Sequence, residues 1–498
     1  MGEMIFLLPA GMDAAARRSL ERACLAGGPE SVPWPTMAVV EGDRLVLTRE
    51  TGESGCLHAP WLVEGSGRFM ISSCTLMERE TPYRFLLELA RGKLNQVRNQ
   101  AWDWRSAGLE IPAPFVECLR RAQRSFRTAV SASSPEVADL AASDTLETLT
   151  QCGTLLVEAY VEQVFQLRRA RVEGGTFELG CRYDQIPPAA AESALLEIGS
   201  YATLAFSWKD IERGQGSFTW EKADALIEWA EAHQLQSTGG PLIDLGLDAL
   251  PEWLLTGQHD VNHLARVMCR FAMAVVRRYH PRIRRWVLTR GSNCATAVHI
   301  TEHAMLWLNL RLAQTVRQVA PEAELVIAIT RPWGDYLAVE DREHSPFVFA
   351  DMLLRSEINL AALEVEIVMG GPGRESYARD LLETSRMLDY YSLLGSPIRV
   401  VLGYPVSVPK AEDAESIVTE GNWAGGTVPE AQASWAAAFI PLALCKPYVQ
   451  AVSWICQRAN SQAMTGCQLW DATGSPTHGA SELGKIGQSL KANFDQPI

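Results

Sequence analysis

The sequence predicts an α/β protein: a (β/α)8 barrel over residues 175–498, preceded by a small antiparallel β unit at 1–80 and a helical region at 81–174. Three observations predict it. The C-terminal part alternates short β-type runs with helical ones eight times, the middle part repeats apolar residues every three to four positions, and the first part alternates strand-like runs with Gly- and Pro-rich turns.

In chain order, "MIFLLP", "MAVVEGDRLVLTRE" and "GRFMISSCTL" are the strands of the β unit. "YRFLLELARGKLNQVRNQ", "APFVECLRRAQRSFRTAVS" and "EVADLAASDTLETLTQCGTLLVEAYVEQVFQLRRA" then read as amphipathic helices. The polar stretch "RGKLNQVRNQ" is a candidate partner surface, although a solvated helix face is the commoner outcome. No Pro/Ser/Gly linker separates these helices from the C-terminal part, so they are expected to pack on the barrel. The barrel strands are "FELGCR", "YATLAF", "LQSTGGPLI", "RRWVLTR", "ELVIAIT", "LEVEIVM", "PIRVVLG" and "YVQAVSWI", with helical crossovers such as "DVNHLARVMCRFAMAVVRRY" between them. Parallel strands need such crossovers, and eight of them close a barrel of roughly 250 residues plus insertions. A doubly wound open sheet is the alternative; against it, no Gly-x-Gly-x-x-Gly follows a strand, and "GGPGRES" lacks the Lys of a phosphate loop.

Charge narrows the partners. Lys and Arg number 45 against 59 Asp and Glu, and the net charge of −14 repels phosphate backbones and anionic bilayers. Neither nucleic acid nor a membrane is expected. No run approaches the roughly 18 apolar residues of a membrane span, and "MGEMIFLLPAGMD" has an acid where a signal peptide has a basic region. The eleven cysteines are scattered and form no CxxC, which points to reduced thiols in a cytoplasmic protein. No metal and no cofactor is expected.

The barrel part resembles glycoside hydrolase family 10, the retaining xylanases, a family of TIM barrels. "FSWKDIERGQGSFTWEKADALIEWAEAHQLQ" resembles that family's second-strand block, "STGGPLIDLGLDALPEWL" its third, "RRWVLTRGSN" its Trp-Asp-Val-Val-Asn-Glu strand, "LEVEIVMGG" its Gln-x-His strand and "PIRVVLGYPVS" its Thr-Glu-Leu-Asp strand. "AVSWICQRAN" and "GCQLWDATGSPTHGASEL" resemble the last strand and its Leu-x-Asp-x-x-Gly-x-Pro ending. The resemblance implies a sugar-binding barrel but not the family's chemistry. A retaining glycosidase needs two carboxyls about 5 to 5.5 Å apart. The family's acid/base Glu falls on Gly291, its preceding Asn on Arg290, and its nucleophile Glu on Gly403. Its third-strand His residues fall on Gly240 and Asp244, and its sixth-strand Gln and His near Glu366 and Val368.

Two glycines in place of two glutamates are expected to open space at the barrel mouth. Around it the sequence places Trp208, Lys209, Asp210, Arg290, Trp333, Asp335, Trp454 and Arg458 as candidate ligand-binding residues, since active sites of such barrels lie at C-terminal strand ends. Tryptophan faces stack on sugar rings, while carboxylates and Arg bond hydroxyls. The resulting expectation is a carbohydrate-binding pseudoenzyme. One alternative is an active hydrolase or lyase using relocated carboxylates, with Asp244 and Glu366 as the candidates; another is a protein-interaction scaffold whose partner docks on the N-terminal region. "HITEH", His299–His303, matches the H-x-x-E-H pattern of inverted zinc peptidases, but it opens the helix after the fourth strand, away from the mouth, where two surface histidines are the ordinary outcome.

Overall fold

Eight parallel strands close on themselves. They are Glu178–Tyr183, Tyr201–Leu204, Gln236–Gly239 continued by Ile243–Asp244, Arg285–Arg290, Glu324–Thr330, Ala362–Val368, Ile398–Gly403 and Val449–Cys456, and the eighth pairs with the first at Val452↔Leu179. This is the (β/α)8 barrel that the sequence predicts, with Trp286 on its fourth strand and Trp454 on its eighth. The structure, a computed structural model, describes residues 2–28, 30–170, 178–246, 249–255, 260–295, 297–298, 300–370, 376–406, 421–423, 429–456 and 466–494.

The third strand is broken where the backbone must pass close to its neighbour. Gly240 has φ +123°, and a Cβ there would lie 2.4 Å from the Val287 carbonyl oxygen, so only glycine fits. The strand resumes in time to pair Asp244 with Arg290. The crossover helices follow from amphipathic periodicity and side-chain caps. Val261–Tyr279 buries Leu264, Val267, Met268, Phe271 and Val275 along one stripe, each worth about 1.5–3 kcal/mol on burial, and Asp260 caps it by accepting from the His263 amide. Thr301, Ser345 and Asp380 cap the helices Glu302–Val319, Pro346–Arg355 and Leu381–Ser392 in the same way.

The barrel interior is unusually charged. A small apolar layer of Val287, Val326, Ala328 and Ala362 fills its middle. At the N-terminal end Glu178 accepts from Arg285 (3.1 Å) and Arg399 (2.8 Å), and Arg285 also pairs with Glu324. A second ionic cluster closes the other end.

The N-terminal residues form two sheets. One carries Met37–Glu41, Arg44–Arg49, Gly2–Leu7 and Tyr83–Arg84; the other carries Val32–Pro33, Cys24–Gly27, Gly55–Val63 and Gly67–Leu76. The second sheet gains a fifth strand, Asn422–Trp423, from the chain that follows the seventh barrel strand. Helices Phe85–Ser106, Ala113–Ser131 and Pro135–Ala170 come next. Contacts to the barrel run along its C-terminal loops and sixth helix: the Thr36 amide donates to Ala338, the Met70 amide to Ala378, Lys93 pairs with Asp380, and Gln96 donates to Glu383. Among the described residues no helix is long and apolar enough to cross a membrane.

Candidate functional site at the C-terminal face of the barrel

The centre of the mouth is an ion network. Arg290, at the end of the fourth strand, holds Glu366 with two donors, Nε at 2.8 Å from Oε2 and Nη2 on Oε1, while its Nη1 lies 3.3 Å from both oxygens of Asp244. Arg182, next to last on the first strand, donates Nη1 to Glu366 at 3.0 Å and Nη2 to Glu364. Alternation in the sixth strand puts Glu364 and Glu366 on one face, and both are buried, with Glu366 only 3% exposed. Burial alone would push the Glu366 carboxyl up; Arg290 and Arg182 outweigh it and hold it below the usual carboxylate range. Burial acts against the charge of Arg290 too, and Glu366 and Asp244 keep that guanidinium firmly protonated.

Two strand ends that lack carboxylates differ from each other. Gly291 has φ +75°, and the nearest atom to a Cβ there is Thr330 Oγ1 at 3.7 Å, so space is open but the backbone disfavours any side chain. At Gly403 the expected opening is absent. Val368 and Cys467 already fill the volume, standing 3.2 and 3.3 Å from where a Cβ would be, in an apolar cluster with Val401 and Ile455.

The other candidates lie in different places. Trp208 is buried beside Phe271, ring centroids 5.0 Å apart, and its Nε1 donates to Glu212 at 2.8 Å. Trp454 is buried edge-on to Trp435, and its Nε1 donates to the Cys467 carbonyl at 2.8 Å. Both indoles point into packed interior, with their donors spent. Lys209 and Asp210 are half-buried on the short helix Trp208–Ile211. Trp333 and Asp335 follow the fifth strand: Asp335 accepts from Arg379 (2.6 Å) and the Tyr377 amide (3.0 Å), and the Arg379 guanidinium lies 5.3 Å from the Trp333 ring centre. Burial would raise the Asp335 carboxyl; Arg379 and that amide hold it low. Arg458 lies outside the described residues. The structure thus brings Asp244, Arg290 and Glu366 together, sets Trp333 with Asp335 apart from them, and adds Arg182, Glu364 and Arg379, which the sequence reading did not single out.

His299 of "HITEH" lies outside the described residues, and His303 is exposed. Glu302 instead meets His344, Nδ1 to Oε2 at 2.6 Å, with Glu343 close by.

These features define a (β/α)8 barrel with an ionic cluster at the C-terminal ends of its strands. The model of the family Glycosyl hydrolase family 10 matches residues 203–289, from the second strand to the residue before Arg290. Similar solved structures include xylanase 10B from Thermotoga petrophila RKU-1 in complex with xylobiose, at 13% identity over 67% of this chain and 97% of that one with a TM-score of 0.45. Native xylanase10C from Cellvibrio japonicus is 13% identical over 66% of this chain and 72% of that one, TM-score 0.46. The family 10 structure from Paenibacillus barcinonensis is 16% identical over 64% and 97%, TM-score 0.44. The chain carries a barrel similar to that of family 10.

Proposed function

We propose that this protein is a family 10-like barrel that binds a carbohydrate without cleaving it by the retaining mechanism. The observation that carries this reading is the state of Glu366. A general acid must hold a proton near the working pH, and this carboxylate is kept ionised by two guanidiniums. Its partner in a relocated pair, Asp244, is bound to the same Arg290, so the charge that would stabilise an oxocarbenium ion is already neutralised. Gly291 and Gly403 supply neither proton nor nucleophile. The eleven free thiols support the cytoplasmic setting.

The test is hydrolysis of aryl xylosides and xylo-oligosaccharides by the purified protein, beside a D244N/E366Q double variant, with sugar binding followed by calorimetry. No turnover from either protein, together with saturable sugar binding by the wild type, is expected. Turnover in the wild type that vanishes in the double variant would establish relocated carboxylates instead.

A second reading, association with a protein through the helical region, is favoured by Trp102 and Leu140, which are 68% and 75% exposed there.

A further inference from the structure

Among the described residues, a cleft lies away from the barrel mouth. A cavity of about 510 Å³ lies where the N-terminal unit meets the loop after the fifth strand and the helix Leu381–Ser392. It falls within the usual 300–1,000 Å³ range of small-molecule sites. A second cavity of about 630 Å³ continues it, sharing Ser31, Ser72, Gln100, Asp103, Glu383 and Arg386.

Two side chains that line the first cavity each carry a polar atom with no partner among the described residues. His58, 8% exposed, leaves Nε2 unbonded, and Trp333 leaves its indole Nε1 unbonded. Buried polar groups are nearly always satisfied, so two partnerless nitrogens on residues of one cavity wall single this place out, although both nitrogens are covered in this structure. They come from opposite sides of the cleft: His58 from the strand Gly55–Val63 and Trp333 from the barrel loop.

The chemistry of the walls selects the ligand. Trp333 Nε1 can only donate. The cavity also holds four carboxylates, Glu30, Asp103, Glu383 and Asp389, against two guanidiniums, and Asp389 is paired with Lys446. Arg379 is committed to Asp335. An anion is therefore disfavoured, whereas a hydroxyl accepts from the indole and donates to a carboxylate. Burial, with Arg379 beside it, keeps the His58 imidazole neutral by lowering it to about 3, so it adds no positive charge. Aromatic faces stand at this end, with Phe347 and Tyr390 at 4.3 Å between centroids. The second cavity is lined by amides of the helix Phe85–Ser106, Asn95, Asn99 and Gln100, with Gln96 beside them already bonded to Lys93 and Glu383; these lie in the polar stretch "LNQVRNQ" of the sequence. Amides both donate and accept, as hydroxyls do.

We propose that this cleft, and not the barrel mouth, is the carbohydrate site: it takes a short neutral oligosaccharide, with one ring at Trp333 and His58 and the next along the amide face. This rests on the carbohydrate-binding reading above and gives it a location that exists only because the N-terminal unit docks on the barrel.

The experiment titrates xylotriose, cellotriose and anionic digalacturonate into the full chain by calorimetry, for the wild type, Trp333→Phe, His58→Leu, Gln100→Phe and Arg290→Met. Trp333→Phe keeps an aromatic ring but removes the indole donor with its five-membered ring, and is expected to weaken neutral binding by about five- to tenfold. His58→Leu removes an unsatisfied polar group, so its thermal midpoint should be unchanged or raised while binding falls, an outcome that separates ligand contact from misfolding. Gln100→Phe should block the cleft. Neutral binding retained by the three cleft variants but lost in Arg290→Met would overturn the location and leave the carbohydrate reading standing. Preference for digalacturonate would overturn the ligand class. Absence of saturable binding of either neutral sugar by the wild type would overturn both the location and the reading on which it rests.

Discussion

Replacing Glu366 by Gln separates a structural network from a catalytic residue. The side chain is 3% exposed and accepts from Arg290 twice and from Arg182 once. Gln keeps the volume but removes the charge and turns an N–H group toward a guanidinium. Removing one partner from a buried ion pair costs about 3–5 kcal/mol. Here each arginine keeps one carboxylate, Glu364 for Arg182 and Asp244 for Arg290, so the lower end, about 3 kcal/mol, is expected. In a barrel of this size that lowers the thermal midpoint by on the order of 5 °C. Calorimetric scans at fixed rate and matched denaturant curves measure it. A functional carboxylate held at a cost to the fold behaves in the opposite way, since its removal leaves stability unchanged or raises it. A Glu366→Gln protein as stable as the wild type would therefore refute the reasoning and restore Glu366 as a reacting group. The same network gives a pH signature. Glu366 is held below its unfolded value, so its contribution is complete above the ordinary carboxylate range and is lost as pH falls through the depressed folded value.

His58 predicts a separate pH window: lowered to about 3 from 6.5, it is neutral in the fold over a range where the unfolded chain takes up a proton. Stability should fall as pH drops from about 6.5 toward 3, by at most about 1.4 kcal/mol per pH unit from this group, and denaturant midpoints of His58→Leu should show a shallower slope there; identical slopes would contradict its burial as a neutral group. Gly403→Glu should not create hydrolysis of aryl xylosides, because its Cβ meets Val368 at 3.2 Å and Cys467 at 3.3 Å. It should instead cost about 1–3 kcal/mol in overpacking, and an undiminished denaturant midpoint would show that the space is not filled.

The barrel was legible because its strands are short apolar runs bounded by helical periodicity, and both signals are local. The mouth was only half legible. Asp244, Arg290 and Glu366 could be nominated from their places at strand ends, yet Glu364 was overlooked although "LEVEIV" carries two acids at period two, which must share a face. Two buried acids on one face require cations, and that was the signal that could have found Arg182. Nothing local tells where an indole at a strand end turns. Trp208 starts a short helix and stacks on Phe271 from the helix Val261–Tyr279, and Trp454 is drawn to the Cys467 carbonyl; both partners are distant in sequence and set by tertiary packing. The strand Asn422–Trp423 has two residues and therefore no periodicity to read.

That short strand bears on the end of the seventh barrel strand. The seventh barrel strand ends at Gly403, and the next residue, Tyr404, is fixed from both sides: its hydroxyl accepts from the Trp423 amide at 2.9 Å and its carbonyl from Gln432 at 2.8 Å. Trp423 in turn packs against Phe69 of the N-terminal sheet and Phe439 of the seventh helix. Asn422 and Trp423 themselves pair with Arg68 and Gly67. The residue after the seventh strand is thus tied to a short strand that pairs with the N-terminal sheet, while Arg182, Arg290 and their carboxylates pair with one another in the barrel. With Tyr404 held in this way and the space at Gly403 already filled by Val368 and Cys467, a glutamate placed at position 403 alone is not expected to create hydrolysis.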